Sequence, residues 1–407
     1  MRRAWQKVYE NGIKSKSEQT QKDVRNFANK SDRNLDRIYR KLLRKEWEFE
    51  PALGIFTRSH SGKKQRPLVV SPIENRIIQR SILDVLQKVP AIKAYYEIES
   101  SFGGIEGKSV RAALEKVYLC IKNGACYYIR SDIKDFFTNI PKDIVLSIIA
   151  KHISDRDFNT LLLKATKVEL RNLHELKESA KAFPLYEIGV AQGCCLSPLI
   201  GNILLHDFDI EMNDRGISCI RYIDDFIMLG DNLSHLNRAF KNAKRLLGAL
   251  GLEVHDPDVN KGKADLGNIK NGFNFLGCIY TPGLLRPNSE SCNRLLTHID
   301  TVLKDSITMM REPKKLYDKR KSLIRTLIDV DNILMGWGNQ YSFCNNEQVF
   351  KHIDSEVDKK IQNYLGHYAK IKNALKNEIE KNRKRLLGIF IIEENKSDPI
   401  IKANQDK

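Results

Sequence analysis

A chain of 407 residues with 42% hydrophobic content has the length for two or three units of about 100–200 residues and material for a substantial core. It carries 68 Lys and Arg against 51 Asp and Glu, a net charge of +17 spread along the sequence, which fits a polyanionic partner, nucleic acid before membrane. No apolar run approaches the ~20 residues of a membrane span, no apolar signal region opens the chain, and eight cysteines without C-x-x-C spacing argue against a disulfide framework or zinc site; a soluble cytoplasmic protein with free thiols is expected.

Residues 1–50 read as helices. "NLDRIYRKLLRKEWEF" places Leu35, Ile38, Leu42 and Leu43 on one face at helical spacing, with basic residues opposite. "GIFTRSHSGKKQRPLVVSP" has short apolar runs around a Ser/Gly/Lys loop, the pattern of a hairpin with a basic tip. "ENRIIQRSILDVLQKV" returns to helix. "ACYYIRSDIKDFFTNI" begins as a strand over 125–133, and helices are expected across 141–182. "GVAQGCCLSPLIGNILLHDFDIEM" reads as a loop and then a long helix, with Pro198 in its first turn. "SCIRYIDDFIMLG" alternates as strand, turn, strand, "NLSHLNRAFKNAKRLLGALGL" is an amphipathic helix ended by glycine, and "FNFLGCIYTPG" is a strand pair. From about 288 onward the pattern is helical and strongly basic.

Three carboxylates break this apolar patterning. Asp132 ends one strand, and Asp224 and Asp225 sit at the tip of a hairpin inside "RYIDDFIMLG". An isolated ionised carboxylate is costly to bury. If the two strands are sheet neighbours, Asp132 and Asp224 converge at one edge and require a cation between them. Hard oxygen ligands suit Mg²⁺, which retains waters and takes substrate phosphates. Two such ions stabilise the attacking and leaving oxygens of an in-line displacement, the chemistry of nucleotidyl transfer.

"YIDD" resembles the Y-x-D-D hairpin of reverse transcriptases, and it has company in the family's order across roughly 60–280. "RPLVVSPIENRIIQRSIL" resembles the fingers motif and "SFGGIEGKSVRAALEKV" the block after it. "SDIKDFF" resembles motif A, and "GVAQGCCLSPLIGNILLHDFD" resembles motif B, with Ala191 where a proline is frequent. "LGLEVHDPDVNKGK" is similar to motif D and "FNFLGCIY" to the primer-grip motif E. The resemblance implies an α+β right-hand polymerase: fingers, a palm with an antiparallel sheet, and an all-helical thumb. The expected partition is fingers 1–100, palm 101–140, a helical insertion 141–185, palm 186–287, thumb 288–385 and a tail 386–407. "LMGWGNQYSFC" resembles a thumb segment of group II intron-type enzymes, while Trp337 and Tyr341, spaced i, i+4, fit a helix core equally well.

The same resemblance implies roles. Asp132 and Asp224 carry two Mg²⁺ ions, with Mn²⁺ as a substitute, and Asp225 supports or joins them. Arg66 grips the triphosphate with a planar fork, assisted by Arg58, Lys63 or Lys64. Ile133 lies beside the nucleotide, and Phe137, five residues after Asp132, is a steric gate that favours dNTPs over ribonucleotides. Gln192 and Gly193 lie near nucleotide and template, and Tyr222 supports the nucleic-acid backbone. Lys261 or Lys263 matches the motif D lysine, a proton donor to pyrophosphate, and Leu276 and Gly277 shape the primer grip.

Beyond the expected thumb, neither a DNA-binding module with an HNH endonuclease nor an RNase H domain is expected. The nearest resemblance is then to compact bacterial defence-associated reverse transcriptases. These enzymes imply a structured noncoding RNA as template and scaffold, a cDNA product and an antiphage role. A domesticated group II intron-like enzyme and a non-catalytic RNA-binding scaffold are the alternatives. Oligomeric state is not legible.

Overall fold

The computed structural model describes residues 1–15, 17–57, 66–213, 216–260, 262–314, 316, 320–375 and 379–395. The chain divides into two compact units, Met1–Asn271 and Gly272–Lys407.

The first unit begins with helices Arg2–Ile13, Glu18–Ala28 and Ser31–Leu43. In the third, Leu35 and Ile38 are buried, whereas Leu43 is 64% exposed. At 100° per residue Leu43 rotates out of the stripe that 35, 38 and 42 define, so the expected four-residue face holds three. Strands β1 (Leu53–Thr57) and β2 (Arg66–Val70) pair antiparallel, as the hairpin pattern predicts. The tip carrying Arg58, Lys63 and Lys64 lies outside the described residues.

The central sheet has the order β4-β5-β3-β6, built from β3 (Tyr127–Asp132), β4 (Ser218–Tyr222), β5 (Asp225–Gly230) and β6 (Asp265–Asn268). All of its pairings are antiparallel. Side chains of a strand alternate between faces, and one face is set by packing. Ile129, Phe226 and Met228 share a core with Leu236, Phe240, Ala243 and Leu247 of helix Leu233–Ala249. That helix is started by Asn232, whose side chain accepts the His235 N–H. The opposite face of β3 carries Tyr128, Arg130 and Asp132. Strand β6 was not anticipated: its four residues, Asp-Leu-Gly-Asn, have no strand propensity and form a ladder only because β3 offers an edge.

The expected long helix after Pro198 is two short ones, Ser197–Leu204 and His206–Asn213, interrupted at Leu205. The first is buried along its whole length, so its apolar run carries no amphipathic phase from which a break could be read.

In the second unit, β7 (Phe273–Phe275), β8 (Cys278–Thr281) and β9 (Leu284–Pro287) form a small antiparallel sheet. The turn between β7 and β8 is Leu276–Gly277, with φ of 49° and 79°, the positive pair of a type I′ turn. Helices Ser289–Met310, Leu323–Tyr341, Glu347–Ala374 and Ile379–Leu387 follow. Leu295, Ile299, Val330, Ile353, Val357 and Leu386 meet in their core. Trp337 and Tyr341 belong to this packing: Ser291 Oγ accepts the Trp337 indole N–H at 3.1 Å and donates to Tyr341 Oη at 2.8 Å. All eight cysteines are free thiols, and among the described residues no helix is long and apolar enough to cross a membrane.

Ile129 is fully buried in the central strand β3. Ile129→Ala is expected to destabilise the first unit by about 2–5 kcal/mol, read as a lower denaturant midpoint at unchanged slope.

Candidate active site

Asp132 is the last residue of β3 and Asp225 the first of β5, and the register places them directly opposite each other. Such cross-strand partners have Cα atoms about 4.5–5.5 Å apart. Asp224 lies on the two-residue turn between β4 and β5, and its carbonyl accepts the Ile133 N–H at 3.1 Å. The turn's first residue, Ile223, has φ of 62°. Three carboxylates therefore meet at one rim of the sheet.

Their surroundings differ. Asp132 is mostly buried; Lys263 Nζ lies 3.0 Å from its Oδ2, and His255 Nε2 is 3.7 Å from its Oδ1. That Oδ1 is buried with no hydrogen-bond partner. Asp224 has its pKa raised, chiefly by burial and also by the charge of Asp132, with Arg66 and Lys263 pulling the other way. Asp225 is pushed up to about 7 by burial first, then by Asp224 and Asp132. Its side chain keeps solvent access, so water screens part of that repulsion.

A cation fits this rim. A carboxylate oxygen with no partner and neighbouring carboxyls pushed toward protonation both reflect missing positive charge. Among the described residues, no three His, Cys, Asp or Glu side chains already form a liganding group.

A cleft of about 280 Å³ is lined by Thr57, Arg66, Leu68, Phe137, Gln192 and Gly193, among others. It brings together four of the residues singled out from sequence: Arg66, Phe137, Gln192 and Gly193. The loop 190–193 is fixed by backbone bonds, Val69 N–H to the Gln192 carbonyl at 2.8 Å and Val190 N–H to the Phe137 carbonyl at 2.7 Å. Gly193 has φ of 104°, and a Cβ there would stand 2.9 Å from the Val69 carbonyl oxygen; only glycine allows this approach. Tyr222 is half-buried and pairs with Asp225 across the hairpin. Ile133 is placed differently from a substrate contact: the residue is buried in the core, and its N–H donates to the Asp224 carbonyl.

Lys261, like Arg58 and Lys64, lies outside the described residues; Lys263 is the lysine of that segment found on Asp132. His255 was missed. Its N–H donates to the Asp132 carbonyl at 3.1 Å and its carbonyl accepts from Ser131 Oγ at 2.7 Å. The signal was too short to read, because residues 253–255 reach Asp132 through a single isolated bridge, Ile133 to Val254.

The model of the family described as reverse transcriptase (RNA-dependent DNA polymerase) matches residues 58–280, more than half of the chain. The chain belongs to this family. It is similar to the group II intron-encoded protein LtrA of Lactococcus lactis subsp. cremoris, at 26% identity over 44% of this chain and 28% of that protein. It is 30% identical to an uncharacterized 91 kDa protein in the cob intron of Schizosaccharomyces pombe, over 43% of this chain and 20% of that protein. Protein YkfC of Escherichia coli is 24% identical over 58% of this chain and 68% of its own length. The chain thus spans about a fifth to two-thirds of the length of these relatives. A solved apo telomerase from Candida tropicalis aligns over 59% of this chain and 55% of its own, at 14% identity and a TM-score of 0.43. Reverse transcriptases generally use divalent metal ions.

The crowded carboxylates set a pH dependence. Asp225 titrates near 3.8 when unfolded and about 7 when folded, so between those values the native state binds more protons and stability falls as pH rises. In EDTA, Asp225→Asn is expected to raise Tm at pH 8, with the gain shrinking steadily toward pH 4. A pH-independent difference between variant and wild type in thermal melts would contradict the assignment.

Proposed function

We propose that this reverse transcriptase copies a structured noncoding RNA, which serves as template and scaffold, into cDNA, and that it does so in antiphage defence. The observation that carries the polymerase reading is the cross-strand pairing of Asp132 with Asp225 beside Asp224, next to a cleft holding Arg66, Phe137, Gln192 and Gly193. The net charge of +17 supports a nucleic-acid partner larger than one nucleotide. The noncoding template and the defence role rest on the resemblance to compact defence-associated enzymes.

In this reading Asp132 and Asp224 would hold two Mg²⁺ ions, with Asp225 in support. The ions would supply positive charge for the attacking and leaving oxygens of the displacement. The protein's own groups select and orient. Arg66 carries a guanidinium fork for the triphosphate. The Phe137 ring excludes a ribose 2′-hydroxyl. The backbone at Gln192 and Gly193 faces the base pair, held close to β2 because Gly193 carries no Cβ. Tyr222 supports the primer strand, and Lys261 or Lys263 is the proton donor to the departing pyrophosphate. Residues 1–100 are assigned to fingers, 101–140 and 186–287 to palm, 141–185 to a helical insertion, 288–385 to a thumb that follows a duplex backbone without reading sequence, and 386–407 to a tail.

The intron-encoded relatives favour a second reading, a group II intron-like enzyme acting in splicing, repair or spacer acquisition. The RNA decides between them. Sequencing of RNA and cDNA co-purified from cells is expected to return one enriched structured transcript with its complementary DNA, and phage plating is expected to rise when Asp224→Asn and Asp225→Asn are combined. Recovery of an intron RNA supports the second reading, and random cellular RNA removes the first.

Catalytic assignments are tested by primer extension with Mg²⁺ and dNTPs. Asp132→Asn or Asp224→Asn is expected to lower the rate by at least about a hundredfold, and Phe137→Ala to admit ribonucleotides while retaining dNTP incorporation. Wild-type rates for either aspartate variant would contradict the metal assignment.

A further inference from the structure

We propose that Arg221 is a positioning residue for the carboxylate hairpin: its buried guanidinium holds the Ile223 carbonyl and so fixes the strained turn that presents Asp224. The inference rests on the reading of Asp224 as an active-site carboxylate.

Arg221 is completely buried at the end of β4, and its guanidinium is fully engaged. Nε donates to Asp209 Oδ1 at 2.8 Å and Nη2 to Asp209 Oδ2 at 2.5 Å, a bidentate pair. Nη1 donates to Asn202 Oδ1 at 2.9 Å and to the Ile223 carbonyl at 2.8 Å, and Nη2 also reaches Ser101 Oγ at 2.8 Å. A guanidinium has five N–H donors in a rigid fork; lysine has three on one atom and cannot span these partners.

Stability alone does not account for this network. A buried ion pair is frequently no more stable than apolar residues of the same volume. What the network adds is a grip on Ile223. This β-branched residue stands at φ of 62°, in a two-residue turn of which only the first position has positive φ, a place that normally takes glycine. Such a conformation costs about 1–3 kcal/mol and persists only where surrounding groups over-determine it.

The surroundings do so from two sides. Arg221 Nη1 holds the Ile223 carbonyl. On the other side Gly103 lies so close that a Cβ would fall 2.4 Å from Ile223 Cγ1 and 2.6 Å from its nitrogen. The Gly103 carbonyl is in turn fixed by Asn202 Nδ2 at 2.8 Å, the same side chain that receives Arg221. Backbone bonds of 2.9 Å from Arg221 N–H to Ser100 and from Phe102 N–H to Arg221 lock this segment to β4. Helices Ser197–Leu204 and His206–Asn213, the segment 100–103 and the hairpin thus meet on one guanidinium.

The test replaces the ion pair by apolar residues of similar size, Arg221→Met with Asp209→Leu, in the full chain. Primer extension on poly(rA)/oligo(dT) with dTTP is expected to lose at least about tenfold in kcat, with KM for dTTP changed less than about threefold. Mn²⁺ binding followed by electron paramagnetic resonance is expected to weaken in parallel. Wild-type kcat in the folded double variant would overturn the proposal. If that variant does not fold, Arg221→Lys keeps a positive charge beside Asp209 but cannot span from it to the Ile223 carbonyl; the same kcat loss supports the proposal and a wild-type kcat refutes it. Ile149→Ala, a buried position on helix Lys142–His152, is the control for destabilisation. Assayed well below its Tm it should keep kcat, and an equal loss there would also refute the proposal. Asp224→Asn is assayed alongside: if it extends primers normally, the site reading fails first and independently of Arg221.

Discussion

The antiparallel register between β3 and β5 sets Asp132 against Asp225, and like charges directly opposite in a sheet are unfavourable. The register is not free to relieve this. Ile129 faces Met228, and both pack beneath helix Leu233–Ala249. A slip of one residue would turn Ile129 outward and drive Asp132 into the core. Hydrophobic packing on one face of the sheet thus enforces electrostatic crowding on the other, and the rim can be relieved only by protonation, by protein cations or by a bound one. The tendency toward protonation shows in the raised pKa values of Asp224 and Asp225, set by burial first and then by the neighbouring carboxylates. Protein cations are visible in Lys263 on Asp132.

A second constraint joins segments far apart in sequence. The Val69 N–H to Gln192 carbonyl bond ties β2 to the loop before helix Ser197–Leu204, and Gly193 makes the approach sterically allowed. Because that loop also bonds to Phe137 through Val190, three pieces of chain form one cleft wall. The bonds are between backbone groups, so the shape of the cleft depends on glycine placement and strand pairing more than on the side chains that line it.

These features were unequally legible. The carboxylates could be read because charged residues interrupt strand-like apolar runs, and the family's ordered motifs assigned Arg66, Phe137, Gln192 and Gly193 to one place, where the cleft holds them. Strands β3 to β5 follow from alternation. What could not be read is whatever depends on burial without periodicity. The helix break at Leu205 falls inside an evenly apolar run, and β6 is a strand only through its neighbour. His255 reaches Asp132 through a lone bridge, and Arg221 looks, in sequence, like one more basic residue of a chain that has 68. Its complete burial reverses that reading, because an arginine leaves water only when every donor has a partner.

The three aspartates are chemically alike and physically distinct, and the distinction suggests a division of labour. Asp132 is held by a neighbouring ammonium and keeps one oxygen without a partner, which leaves that oxygen open to a second cation. Asp224 sits on a turn whose geometry is imposed from outside, so its direction is set before any ion arrives. Asp225, with its pKa near 7, is only partly ionised at neutral pH and becomes fully charged when positive charge enters the rim. In the proposed two-metal reading, a cation would meet two oxygen donors that need little rearrangement and a third that responds to it. Burial and register produce this order with no difference in side-chain chemistry, which is why the adjacent pair in "YIDD" need not act as equals.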